Sequence, residues 1–133
     1  DFVWPVRVYY EDTDAGGVVY YANYLKFMER ARTEWLRALG FEQTTLAREY
    51  DVVFVVRALA VEYLQPAVFN DELEATVALA TARGSVLEFA QTINRGRSTL
   101  VTGTVKVACI NTRSFKPVRI PKLLVETLAM RRT

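Results

Sequence analysis

The 133-residue chain has no histidine and one cysteine, Cys109. Without histidine there can be no Ser-His-Asp triad, no Cys-His pair and no His-ligated metal. A single cysteine permits neither an internal disulfide nor a Cys-clustered zinc site, and a reducing, cytoplasmic setting is the expectation. Long apolar runs are also missing. The run from Val52 to Val56 is about five residues, far below the roughly 20 that a spanning helix needs. No membrane insertion is therefore expected. The opening residues, Asp1 to Pro5, lack the basic-then-apolar order of a secretory leader. The 4 prolines and 6 glycines are scattered, leaving no linker, repeat or low-complexity tract. The composition that remains, 51% apolar and 24% charged, is that of an ordinary globular domain. Its length suits one domain over residues 1–133 with a core of its own. Any acid–base or nucleophilic chemistry must come from Asp, Glu, Lys, Tyr or Ser.

Charge is divided unevenly. Residues 1–82 carry 7 basic and 13 acidic side chains, whereas residues 83–133 carry 10 and 2. A basic half points to an anionic partner or to a solvated face paired with the acidic half. Nucleic acid is not the expected partner, because no recognition module is present and the aromatics are spread through core positions rather than interleaved with arginine.

Periodicity supplies the elements. Val6 to Glu11 reads as a strand, followed by a turn at Asp12-Thr13-Asp14-Ala15-Gly16-Gly17. Tyr24, Met28, Ala31, Trp35 and Leu39 recur at helical spacing, which predicts a helix over about Ala22 to Leu39. Leu25, Phe27 and Leu36 widen its apolar face, and Gly40 stops it. Strands follow at Val52 to Tyr63, Leu73 to Thr81, Val86 to Ile93 and Leu100 to Ile110, separated by Gln65-Pro66, Arg83-Gly84-Ser85 and Asn94-Arg95-Gly96. A last helix runs from about Pro121 to Met130. The fold class is α+β: one long buried helix against an antiparallel sheet. The strand Val52 to Tyr63, if it lies at an edge, invites pairing with a second copy.

The chemistry concentrates between Tyr10 and Tyr24. Asp14 sits on a Gly-rich turn just ahead of a buried helix, whose first turn offers unpaired N–H groups and a partial positive charge. Such donors polarise a carbonyl, a nearby carboxylate serves as nucleophile or as base on water, and Gly16 and Gly17 admit a ligand close to the backbone. These are minimal parts for acyl transfer without histidine. An ordinary Asp-Gly turn is the competing reading.

The run Tyr9-Tyr10-Glu11-Asp12-Thr13-Asp14-Ala15-Gly16-Gly17-Val18-Val19-Tyr20, with Ala22-Asn23-Tyr24 and Glu29-Arg30-Ala31-Arg32, closely resembles the hot-dog fold acyl-CoA thioesterases of the YbgC / 4-hydroxybenzoyl-CoA thioesterase group. The likeness continues through Val53-Phe54-Val55-Val56-Arg57, Tyr63-Leu64-Gln65-Pro66-Ala67, Val107-Ala108-Cys109-Ile110 and Lys116-Pro117-Val118-Arg119-Ile120-Pro121. It implies a curved antiparallel sheet wrapped around one long central helix. It also implies homodimers joined edge to edge, often paired into homotetramers, that hydrolyse acyl-CoA at the dimer interface. No cofactor or metal is implied, CoA being part of the substrate. Asp14 falls on the family's catalytic aspartate, and Tyr21 on the helix-start position whose backbone N–H faces the thioester oxygen. Many YbgC-type sequences have His at that position, and the hydroxybenzoyl branch has Tyr; a backbone donor needs no particular side chain.

Further residues have two readings each. Glu29 lines the acyl pocket or pairs with Arg30 or Arg32. Tyr24, with Phe27, touches the acyl group or packs the core. Glu72, with Asp71, reaches a partner's site or stays a loop carboxylate. Arg83, Ser85 and Lys116, with Arg113 and Arg119, suit the phosphates of CoA, the first two at a turn resembling the family's CoA-binding turn. Cys109 alternates with Val105 and Val107 and reads as a buried apolar residue. The alternative functions are a non-catalytic acyl or aromatic ligand binder and an acyl-carrier-protein interaction protein on the same fold.

Overall fold

The computed structural model describes residues 1–131. Five strands form one antiparallel sheet: β1 (Phe2–Arg7), β2 (Val52–Tyr63), β3 (Glu72–Arg83), β4 (Val86–Arg95) and β5 (Ser98–Asn111). Their order across the sheet is β1-β3-β4-β5-β2. Three helices accompany them: α1 (Asn23–Ala38), α2 (Gln43–Tyr50) and α3 (Lys122–Arg131). Strands β3, β4 and β5 are consecutive hairpins turning at Gly84 and Gly96, both with positive φ of 58° and 59°. Bulges at the register shifts between Val56 and Ala58 and between Leu79 and Thr81 bend the sheet locally.

Helix α1 is the centre of the molecule. Phe27, Met28 and Ala31 are fully buried, and the helix packs on β3, β1 and β4. Opposite them stand Leu73, Ala75 and Val77 of β3, Leu87, Phe89 and Ile93 of β4, and Val105, Val107 and Cys109 of β5, all buried. Alternation along each strand puts this set on one face. Gly40 ends the helix as expected. With φ of 96° it donates to Arg37 while Phe41 donates to Leu36, at 2.9 and 3.1 Å, satisfying the last carbonyls.

The structure corrects the first strand and adds a helix. β1 is Phe2–Arg7 rather than Val6 to Glu11, and Tyr10–Asp12 is a 3-10 turn. Pro5 is accommodated because β1 pairs with β3 alone, at the sheet's edge. The strand stops because the Asp12 carboxylate accepts the Tyr9 N–H at 2.8 Å, a local bond that competes with the sheet ladder. Helix α2 has one buried residue, Leu46, too weak a stripe to register as periodicity. The other edge is β2, where Val55, Val56, Leu59 and Tyr63 are all at least 40% exposed. This is the long apolar edge that the sequence raised as a liability.

Candidate active site

The turn that carries Asp14 is a closed loop built on its own backbone. Tyr20 donates to Asp12, Asp14 to Val18 and Gly17 to Asp14, at 2.9, 2.9 and 3.0 Å. Thr13 and Val19 bridge, and Val18 bridges to Val68. At the tip, Asp14 Oδ1 accepts the Gly16 N–H at 2.8 Å. A methyl group at Gly16 would lie 3.2 Å from that oxygen, and Gly17 adopts a positive φ of 82°. Both glycines are therefore used, one for space and one for conformation. The Asp14 side chain is exposed on the single chain.

The loop runs directly into α1. Asn23 donates to the Tyr20 carbonyl at 2.8 Å, so the first helical bond closes onto the loop. Among the described residues, nothing accepts the backbone N–H of Tyr21 or Ala22. These donors stand at the positive end of a 16-residue helix. Asp12 is the residue that sequence reasoning missed. It is 6% exposed; its Oδ2 takes the Tyr9 N–H and its Oδ1 the Asn23 Nδ2, at 2.8 and 2.9 Å. One buried carboxylate thus ties the segment that follows β1, the loop and the helix start together. Asp12→Ala leaves two donors unpaired, and a loss of about 2–4 kcal/mol is expected in denaturant unfolding. Asp14→Ala, at an exposed tip, is expected to cost under about 1 kcal/mol in the same measurement.

A cavity of about 240 Å³ opens beside the helix start, lined by Val19, Tyr21, Tyr24, Tyr63, Leu64, Gln65 and Pro66. The Tyr21 and Tyr63 rings meet edge to face at 6.2 Å, and Tyr63 donates its hydroxyl to the Tyr21 carbonyl at 3.1 Å. Tyr24 is buried, and its hydroxyl accepts the Ala67 N–H at 2.9 Å, so this ring both packs the core and walls the cavity. Burial raises the Tyr24 phenol above its ordinary value, with a smaller push from the Asp14 charge. The Tyr20 phenol is raised chiefly by its hydroxyl neighbour Tyr21, and again Asp14 adds to the effect. The carboxylate, the free helix donors and an aromatic cavity therefore lie within one electrostatic neighbourhood.

The sequence family described as the thioesterase-like superfamily matches residues 8–128. The chain belongs to this family. It is 50% identical over 121 residues to the acyl-CoA thioesterase YbgC of Haemophilus influenzae, covering 91% of this chain and 89% of that protein. Among solved structures, a probable thioesterase from Bartonella henselae is 39% identical, with a TM-score of 0.86 over 90% of this chain and 98% of that one. A DHNA-CoA thioesterase from Staphylococcus aureus, 22% identical, has a TM-score of 0.90 over 98% of this chain and 89% of that one, a likeness of fold alone. The hot-dog architecture and the YbgC-like resemblance read from the sequence are thereby shown.

The remaining residues that the sequence singled out fall into three places in this thioesterase-like fold. Glu29 lies on the exposed side of α1 and borders a cavity of about 300 Å³ with Arg32, Trp35, Phe54 and Phe89. Neither pairing expected for Glu29 forms as an ion pair among the described residues. Arg30 lies over the Phe27 ring at 5.9 Å, and Arg32 donates to Gln91 Oε1 at 2.9 Å. Gln91, 1% exposed, in turn donates to the Met28 and Thr76 carbonyls, both at 3.1 Å. Burial pulls the Arg32 pKa below its usual value, and the Glu29 charge opposes that shift. Gln91 occupies an inward position of an apolar alternation, the signal that marks it as a buried polar residue. Glu72 is exposed and pairs with Arg7; Asp71 pairs with Arg95 at 2.7 Å.

Arg83, Ser85 and Lys116 gather at the opposite end of the sheet from Asp14. Cys109 donates to Ser85 and Ile120 to Gly84, at 2.7 and 2.9 Å, fixing the β3–β4 turn beside the segment that follows β5. Val52 pairs with Asn111 at this end of β2, and Tyr63 with Val101 at the other. The 11 residue steps between Val52 and Tyr63 span about 35 Å. Cys109 itself is buried and its thiol is pushed up to about 11, the behaviour of an inert core residue. Among the described residues, no acidic or thiol cluster able to hold a metal is present, and no helix is long and apolar enough to cross a membrane.

Proposed function

We propose that this protein hydrolyses acyl-CoA thioesters to the free acid and CoA, at a site completed by a second copy of the chain. One observation carries the reading: Asp14 and the unpartnered N–H of Tyr21 are held on the same hydrogen-bonded loop, beside a tyrosine-lined cavity. The 50% identity to the acyl-CoA thioesterase YbgC supports the same substrate class. The thioester carbonyl oxygen sits against the Tyr21 N–H, where the helix end stabilises the developing oxyanion. The Asp14 carboxylate either attacks the carbonyl carbon, giving a mixed anhydride that water then cleaves, or takes a proton from a water that attacks instead. In both routes the C–S bond breaks, CoA leaves as the thiol, and water supplies the second carboxylate oxygen of the acid. Tyr24 borders the space for the acyl group beside the helix start, Glu29 lines a separate cavity further along α1, and Gly17 lets the thioester approach the backbone.

The need for a second copy follows from distance. Arg83, Ser85 and Lys116 suit the phosphates of CoA but lie at the Val52 end of β2, about 35 Å along that strand from the Tyr63 end, where the Asp14 loop enters α1. Antiparallel pairing of β2 with its copy about a two-fold axis sets the Val52 end of one chain beside the Tyr63 end of the other. The partner's basic turn then lies next to Asp14, and the apolar edge of β2 is covered. Glu72, engaged by Arg7, is left as a residue at the periphery of that arrangement.

Thiol release over a panel of straight-chain and aromatic acyl-CoAs tests the reaction. Turnover of at least one ester is expected, and failure on the whole panel would set the reading aside. Contacts between exposed cations and phosphates are screened by salt. KM is therefore expected to rise several-fold between about 0.05 and 0.5 M salt, and to rise at low salt in Arg83→Ala, with kcat held. A KM indifferent to both would remove Arg83 from the phosphate site.

A further inference from the structure

Phe115 is 71% exposed and has a φ of 58°, a left-handed conformation that a phenylalanine adopts only under constraint. The constraint is visible in the loop that follows β5. Asn111 Oδ1 accepts the N–H groups of Arg113 and Ser114, at 2.9 and 3.0 Å. Phe115 donates to the Asn111 carbonyl, and Asn111 donates to Lys116, both at 2.9 Å. Lys116 donates to Ser114 Oγ at 3.3 Å. An apolar ring is thus held out into water on a pinned turn. The chain then runs back along β5, with Val118 donating to Cys109 at 3.0 Å, and delivers Arg119 beside the Arg83–Ser85 turn. Among the described residues, none of Arg83, Arg113, Lys116 and Arg119 is in an ion pair.

An exposed aromatic ring on a pinned turn, between Arg113 and Lys116 in the chain and on the segment that leads to Arg119 and the Arg83 turn, is complementary to a flat base that carries phosphates. Bases stack on such rings whatever their edge pattern, while the cations meet the phosphate oxygens. We infer that Phe115 is the stacking platform for the adenine of CoA bound at the partner copy's Asp14, and that it makes the enzyme favour nucleotide-bearing thioesters over thioesters on a pantetheine arm alone. The inference rests on the acyl-CoA reading above and deepens it. Carrier-protein thioesters present a phosphopantetheine arm without a base, so they forgo this contact. An anionic membrane surface is the other partner that a Phe among cations suits, but one phenyl ring buries too little apolar surface to hold the chain on a bilayer.

The test compares the full-length protein with Phe115→Ala and Phe115→Trp, using the acyl group that turns over fastest, carried on CoA and on pantetheine. Phe115→Ala is expected to lower kcat/KM about tenfold for the CoA ester, through KM, and to leave the pantetheine ester unchanged. Phe115→Trp is expected to restore the CoA ester. Equal losses on both esters, or no loss on either, would overturn the proposal. Binding of adenosine 3′,5′-bisphosphate, followed by calorimetry, is a readout independent of turnover and is expected to weaken about tenfold in Phe115→Ala alone. If the wild-type chain hydrolysed no thioester yet showed that difference, the hydrolase reading would fall and the stacking site would stand. Sedimentation with phosphatidylserine vesicles that Phe115→Ala abolishes, with KM unchanged, would assign the loop to a lipid surface and overturn the proposal.

Discussion

Asp14→Asn is expected to lower kcat by about three orders of magnitude while KM changes less than about threefold. The substitution keeps the side chain's size and keeps an oxygen to accept the Gly16 N–H, now made at 2.8 Å by Oδ1. The loop and the helix entry should therefore stay as they are, and unfolding by denaturant should be close to that of the wild type. What is lost is the negative charge and basicity that either route requires. An amide neither forms the anhydride nor takes the proton of water, so the loss falls on the transition state and not on binding. Steady-state kinetics with the fastest acyl-CoA, paired with a denaturation curve, checks both halves. Near-full turnover in this variant would remove Asp14 from the chemistry. A matching fall on Asp12→Asn would come with lowered stability, because Asp12 is buried and takes two hydrogen bonds that hold the loop.

Mixing two chains that are each impaired well below KM is expected to restore activity there to about a quarter of the wild-type value, the arithmetic of a two-fold dimer with shared sites. One chain carries Asp14→Asn. The other carries Arg83→Ala with Lys116→Ala. In a mixed dimer, one site receives both defects and the other receives neither, while half of all dimers are mixed. The prediction follows from the placement of Asp14 at the Tyr63 end of β2 and the basic turn at the Val52 end. A site contained in one chain would show no recovery, because each chain would bring its own defect to its own site. Mass measurement of the mixture must show the hybrid dimer. Activity at the level of the parent variants with that hybrid present would refute the shared site. At saturating substrate the phosphate-site variant regains rate, so the comparison belongs well below KM.

Local information in the chain settled more than its fold class. The long helix was legible because Tyr24, Met28 and Ala31 repeat on one face and all three are buried. Its end was legible because Gly40 takes a backbone conformation that other residues resist. The strands from Val52 onward were legible from alternation and from the breakers between them. The first strand was misplaced because β-branched and aromatic residues at Val6 to Tyr10 look like a strand, whereas the Asp12 side chain captures the Tyr9 N–H and turns the chain.

By itself, then, the sequence determined what is local or compositional. It excluded histidine chemistry and disulfides, set the period of each element, and placed an aspartate and two glycines before a helix. Tertiary structure alone decided which of two aspartates, Asp12 or Asp14, is buried as a brace and which stays open at the tip. It also turned Arg32 toward Gln91 and left β2 at an edge with its apolar side chains uncovered. The reason is that periodicity is written in neighbouring residues. The fate of a charge depends on which hydrogen-bond partners the fold brings to it, and those include a donor 11 positions away for Asp12 and an acceptor 59 positions away for Arg32.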